Sequence, residues 1–444
     1  MKSTRLIAFL LTLVSLATGN AQTLDKAKLD QFFDRLAERN KAMGSVTIAK
    51  DGKAVYSRAI GYAQVNRNKP LSDASRFRIG SITKIYTATM ILQLVEERKL
   101  KLTDTLDRFY PQVPNAGKIT IEQILTHRSG IANAKRDRES RPDVNMTPIT
   151  KEEMLALIVK ASPNFEPGSK QGYSNAGYFL LGLIIEKLTG QSYEEALKAR
   201  INAKLGLADT YTATGAIDVS RNEALTYIHT GDWKQVPETH PSMLFGAGQI
   251  VTTPTDMAKF IHGLFGLKLI SQENVNRMKT LRDGDPFEMM EPFTFAGKTF
   301  WGHTGGADNY GAWLMYLPEE KVAVAYASNA KVHPVGEILK GVMDIYYGKP
   351  FQIPAFETLA VKAEVLDQYV GVYSSADASV KFTISRKVTT LFVQPGKESP
   401  APLEATAQDK FQLLAGRVVL EFDTVKQQMI LKRGGAPRVF TKEK

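Results

Sequence analysis

The 444-residue chain contains no cysteine. That absence excludes a disulfide framework, thiolate catalysis and a lipid-modified cysteine. Histidine is scarce at six residues, and none falls in His-Glu-x-x-His or another ligand spacing, so neither a metal nor a cofactor is expected. No Gly-x-Ser-x-Gly elbow occurs, which argues against an α/β-hydrolase. Despite a formal net charge of +11, no basic-aromatic motif points to nucleic acid. Internal repeats and low-complexity tracts are missing as well. The one long apolar run, Leu6 to Leu16, is too short to span a bilayer. Lys2 and Arg5 precede it and Gly19-Asn20-Ala21 follow, the layout of a secretory signal peptide over residues 1–21. The expectation is an exported protein, periplasmic or secreted, with no transmembrane segment in the mature chain.

What is present is ordinary globular composition, 43% hydrophobic and 23% charged, with enough length to hold itself by its core in two domains. Leu29, Phe32, Phe33 and Leu36 form one helical stripe. "SVTIAKDGKAVYSRAIGYA" predicts two strands joined at Asp51-Gly52. Thr120 to Gln123, Thr150 to Glu153 and Ser192 to Glu195 have capping-box spacing, and Gly190 stands where a helix would end. Strands return at "AWLMYL" and "KVAVAYAS", around a Pro318-Glu319-Glu320 turn, followed by the helical stretch "VGEILKGVMDIYYG". This order predicts an α+β fold: one antiparallel sheet closed by distant parts of the chain, with a helical region beside it. After the proline-bearing "KPFQIPAFE" come "KFTIS", "TLFVQ", "FQLL", "VVLEF", "QMILK" and "RVF", which predict a small antiparallel β-domain. The expected organisation is a main domain over 24–349, a linker over 350–356 and the β-domain over 357–444.

Three stretches carry chemistry. In "FRIGSITKIYTATMILQLVEERKL", Ser81 stands at the start of a helix that is apolar on nearly every side. Lys84 projects from the same face one turn on. Desolvation would make that amine neutral and able to take the serine proton. In "FEPGSKQGYSNAGYFLLGLIIEKLTG", Tyr173 and Asn175 offer a phenol for proton relay and an amide to grip a substrate. In "FWGHTGGADNYGAWLMYL", glycines let another backbone, such as a substrate peptide, come close to a strand edge.

Ser81-Ile82-Thr83-Lys84, Tyr173-Ser174-Asn175 and His303-Thr304-Gly305, in that order, resemble the motifs of the penicillin-recognising serine hydrolases. That family includes class C β-lactamases, serine D,D-carboxypeptidases and their esterase and D-aminopeptidase relatives. The similarity runs from about residue 25 to 348, and implies a β-lactamase/transpeptidase-like fold. It implies Ser81 as nucleophile, Lys84 as proton acceptor, and Tyr173 sharing the base role and serving the leaving group. Asn175 would hold the substrate amide, and His303, Thr304 and Gly305 would form the opposite wall, kept electropositive. The backbone N–H groups of Ser81 and Gly306 would form the oxyanion hole. Substrates would be D-amino-acid peptides, β-lactams or small esters. The terminal domain, beginning near "LDQYVGVYSS", resembles the lipocalin-like barrels appended to some relatives. Nothing here sets the oligomeric state.

One departure stands out. Typical class C β-lactamases have lysine where this chain has His303, and a neutral imidazole offers less charge to a substrate carboxylate. Glu166 reads as a turn residue and His127 as a structural polar group. A non-turning-over sensor of the same fold is the alternative to an enzyme. Substrate pockets are expected from loops such as 131–150 and 280–298.

Overall fold

The computed structural model describes residues 24–443 apart from 134–143, 230, 282–288, 357–358, 377, 397, 399 and 414–417. The expected signal peptide lies outside the described residues, as do parts of both expected pocket loops.

Helix α1 (Lys26–Glu38) is capped by Asp25, whose carboxylate accepts from the Lys28 N–H, and it buries Leu29, Phe32, Phe33 and Leu36. Strands β1 (Ala42–Lys50) and β2 (Lys53–Ile60) meet at Asp51-Gly52. Both turn residues have positive φ, +51° and +76°, the backbone a tight two-residue hairpin demands. Helix α2 (Thr83–Glu96) is buried at every residue from Thr83 to Leu94. Helix α3 (Asn175–Thr189) starts at Ser174, whose Oγ accepts from Gly177 N–H, and ends at Gly190 with φ +68°. The three expected capping boxes are formed at Thr120, Thr150 and Ser192.

Helix α4 (Pro254–Phe265) precedes β3 (Glu291–Phe295), β4 (Lys298–Ala307), β5 (Tyr310–Leu317) and β6 (Val322–Lys331), and α5 (Val335–Tyr346) follows. The main sheet runs β3-β4-β5-β6-β1-β2, with Tyr227–His229 added in parallel beside β6. The hairpin of residues 42–60 therefore completes a sheet whose other strands come from residues 291–331. Strand β6 shows what its two faces require. Val322, Val324 and Tyr326 pack with α1 and α5, while Ala323, Ala325 and Ala327 belong to the core on the helical side. Alternation puts the two sets on opposite faces, and the small side chains let α4 pack close to the sheet.

Residues 349–356 and 359–362 have no regular secondary structure. Among the described residues, nine strands between Gly371 and Lys442 then form one antiparallel, barrel-like sheet around Tyr373, Ile384, Leu391, Phe411, Leu420, Met429 and Phe440. Lys41 Nζ pairs with the Glu404 carboxylate across the junction with the main sheet. A cleft of about 1080 Å³, walled in part by Phe32, Phe356 and Phe411, lies along that junction. Among the described residues no helix is long and apolar enough to cross a membrane.

Candidate active site

Ser81 occupies a 3₁₀ turn, Gly80–Ile82, that runs straight into α2. Gly80 has φ +52°, and its missing side chain matters: a Cβ there would stand 2.7 Å from Gly306 O on β4. The converse holds on the strand, where a Cβ on Gly305 would stand 1.9 Å from Ile79 O. The glycines of β4 thus admit a backbone, but it is the chain's own serine-bearing turn that approaches them. This revises the sequence-level picture, in which a substrate peptide was the approaching strand. Strand β3 pairs with β4 only as far as Gly302. Among the described residues no strand pairs with His303–Ala307 on that side.

Lys84 is only 1% exposed, and its Nζ lies 3.1 Å from Ser81 Oγ. The same nitrogen donates to Asn175 Oδ1 and to Ala247 O, each at 2.8 Å. Burial holds its pKa well below the ordinary lysine value. Tyr173 O–H donates to Ser81 Oγ at 2.7 Å, and its ring centroid is 4.7 Å from Lys84 Nζ. Burial raises the phenol, a shift that its bond to Ser81 opposes and the nearby Glu291 charge reinforces. Hydroxyl, amine, phenol and amide from two separate stretches thus converge on one point.

Two residues hold the Tyr173-Ser174-Asn175 segment. Asn133 Oδ1 accepts from the N–H groups of Asn175 and Ala176, at 2.7 and 3.2 Å, and its Nδ2 donates to Tyr173 O at 3.3 Å. The His127 Nδ1 accepts from Ser174 N–H at 3.1 Å, and its ring lies under Tyr173 with centroids 4.4 Å apart. An accepting Nδ1 leaves the proton on Nε2. Burial, with the charges of Lys84 and His303, keeps this imidazole neutral well below the usual histidine range. His127 is therefore a support for the phenol, in keeping with its reading as a structural group.

On the opposite wall His303 is 3% exposed. Desolvation first, and then the Lys84 charge, bring its pKa down to about 4. The Thr304 hydroxyl lies 3.4 Å from Glu291 Oε2, and Glu291 Oε1 lies 3.8 Å from His303 Nδ1. Burial pushes the Glu291 carboxyl up to about 7. The wall is thus neutral to negative at pH 7, where the resemblance implied positive charge. Glu166 takes no part: its carboxylate sits exposed, 3.5 Å from Lys118 Nζ. Among the described residues no cluster of three or more metal-ligating side chains occurs.

Glu291, Asn133 and Ala247 were not identified from sequence. Glu291 falls in a segment expected to be loop, but residues 291–295 and 298–307 are strands. Alternation in "EPFTF" is the one signal that could have placed it. Asn133 and Ala247 act through a backbone or side-chain contact that no local spacing announces.

An antiparallel sheet flanked by helices, with a serine, lysine and tyrosine gathered where it meets a helical region, defines the β-lactamase/transpeptidase-like fold of serine hydrolases. The beta-lactamase family matches residues 29–343, and this chain belongs to it. Penicillin-binding protein 4* of Bacillus subtilis (strain 168) is 25% identical over 420 residues, 89% of this chain and 93% of that protein. The teichoic acid D-alanine hydrolase of Staphylococcus aureus (strain MRSA252) is 26% identical over 247 residues, 55% of this chain and 59% of its own length. Among solved structures, the D-amino acid amidase from Ochrobactrum anthropi SV3, complexed with D-phenylalanine, superposes with a TM-score of 0.64. It is 25% identical and covers 72% of this chain and 98% of that one.

Proposed function

We propose that this protein hydrolyses D-aminoacyl esters or amides through an acyl-enzyme on Ser81. The observation that carries the reading is the set of partners around Lys84 Nζ. Asn175 Oδ1 and Ala247 O can only accept hydrogen bonds. A neutral amine has two N–H groups and one lone pair, so those two acceptors take both protons. The lone pair is left for Ser81 Oγ, 3.1 Å away. Lys84 is then the base, and Tyr173, whose buried phenol is kept protonated, donates to Ser81 Oγ and is placed to protonate the leaving group.

In the first step Ser81 Oγ bonds to the acyl carbon as its proton passes to Lys84. The bond to the leaving group then breaks, Tyr173 supplies a proton to that group, and Lys84 returns one to Tyr173. Water repeats the sequence on the acyl-serine and releases the acid. Asn175 Nδ2 remains available to a substrate carbonyl. The Ser81 and Gly306 N–H groups serve the developing oxyanion, a role supported by the close approach of Gly80 to the Gly306 backbone. Export to the periplasm or beyond fits this substrate class. The low His303 pKa supports weak hydrolysis of β-lactams, because the wall offers no cation to their carboxylate.

The test is labelling with a serine-directed fluorophosphonate together with turnover of a D-alanyl ester. Wild type should be labelled on Ser81 and turn over, and Ser81→Ala should lose both. An adduct mapped to another serine, with activity surviving in Ser81→Ala, would overturn the proposal.

A further inference from the structure

The geometry points to Glu291 as the specificity residue of the site: a carboxylate that receives the free α-ammonium of a D-aminoacyl substrate. This rests on the acyl-transfer reading above and deepens it. Four observations lead there. Glu291 stands on β3 opposite Gly302, at the end of the part of β4 that β3 pairs with and beside the edge that begins at His303. Its oxygens meet only neutral donors: the Thr304 backbone N–H, the Thr304 hydroxyl at 3.4 Å, and the His303 ring with Nδ1 at 3.8 Å. No lysine or arginine pairs with it among the described residues, although its side chain is only 16% exposed. It is near enough to Tyr173, the group that touches Ser81, to act electrostatically on the phenol, and its neighbours His303 and Thr304 lie on the strand that the serine-bearing turn approaches.

A desolvated carboxylate without a cation is unfavourable unless something compensates it. Here the neighbouring groups do not. His303 beside it is neutral at pH 7, and Thr304 offers only its hydroxyl and its backbone N–H. Desolvation leaves the carboxyl poised near pH 7, ready to ionise fully when a cation arrives. An ammonium entering along this edge of β4, with its acyl carbon at Ser81, would restore the missing charge. The same carboxylate would repel a substrate that carries its own carboxylate on that side, as β-lactams and free peptide C-termini do.

The experiment compares a D-alanyl ester with the propionyl ester of the same alcohol, which differs only in lacking the ammonium. Both are measured in wild type, Glu291→Gln and Glu291→Asp. In wild type kcat/KM should favour the D-alanyl ester. Glu291→Gln keeps the shape and a hydrogen bond to Thr304, and should shrink that preference roughly ten- to a hundred-fold, the weight of one charge-assisted bond. The propionyl ester should lose much less than the D-alanyl ester, and Glu291→Asp should keep part of the preference. An unchanged ratio in Glu291→Gln, or a parallel fall for both esters, overturns the assignment while leaving the serine mechanism intact. Failure of wild type to hydrolyse either ester overturns the underlying reading, and the assignment with it.

Discussion

A lysine amine that is almost fully buried between two carbonyl oxygens is useful as a base only if it is neutral. Burial favours that state here, and in the proposed mechanism the two carbonyl acceptors take the N–H groups and leave the lone pair to Ser81. Lys84→Arg should therefore be about as damaging as Lys84→Ala, because a guanidinium stays charged. The expected loss in kcat is roughly 10²–10⁴-fold, the usual share of general base catalysis. Single-turnover acylation rates would measure it, and survival of most of kcat in Lys84→Arg would mean that the site needs charge rather than basicity. The pH dependence has a definite sign. Protonation removes the lone pair, so activity falls as pH drops through the lowered pKa. The plateau should be reached well below the ordinary lysine value of 10.5. At this scale Ser81, Lys84, Tyr173 and Asn175 were visible in the sequence because their spacing is local to two helix starts. Glu291 was not, because its partners His303 and Thr304 lie across a strand pairing and no spacing encodes that register.

Elements explain why the serine stands where it does. The turn carrying Ser81 leads into α2 and packs against β4, and that close approach exists only because Gly80 and Gly305 lack side chains. A methyl at position 305 would meet the Ile79 carbonyl at 1.9 Å, and backbone rather than a flexible side chain would have to yield. Gly305→Ala should lower kcat/KM by about 10²-fold, as expected when a reacting group is displaced by roughly 1 Å. Overpacking should also cost about 1–3 kcal/mol of stability. Denaturant midpoints and fluorophosphonate labelling rates separate the two effects, and a variant labelled as fast as wild type would contradict this role for the close approach. Caps and turns could be read directly at this scale. Asp51-Gly52, the three capping boxes and Gly190 each act through residues within a few positions of one another. The approach of β4 to the serine turn joins segments far apart in the chain, so the glycines were visible while the backbone they admit was not.

In the whole molecule, the early hairpin and the late strands make one sheet, and the helical region is held against its alanine-lined face. That arrangement was foreseeable from strands at both ends of a segment with helices between. The site sits at the junction: the turn before α2 brings Ser81 and α2 brings Lys84, the start of α3 brings Tyr173 and Asn175, and the sheet brings the wall. No one segment could do the chemistry. The account stands or falls on a covalent intermediate at that junction, so the most direct measurement is an acid quench during steady-state turnover of a D-alanyl ester, followed by intact mass and peptide mapping. The account predicts a gain of one D-alanyl group on the peptide containing Ser81, lost in Ser81→Ala. Turnover with no acylated protein in wild type, or an acyl group on a different residue, would contradict it.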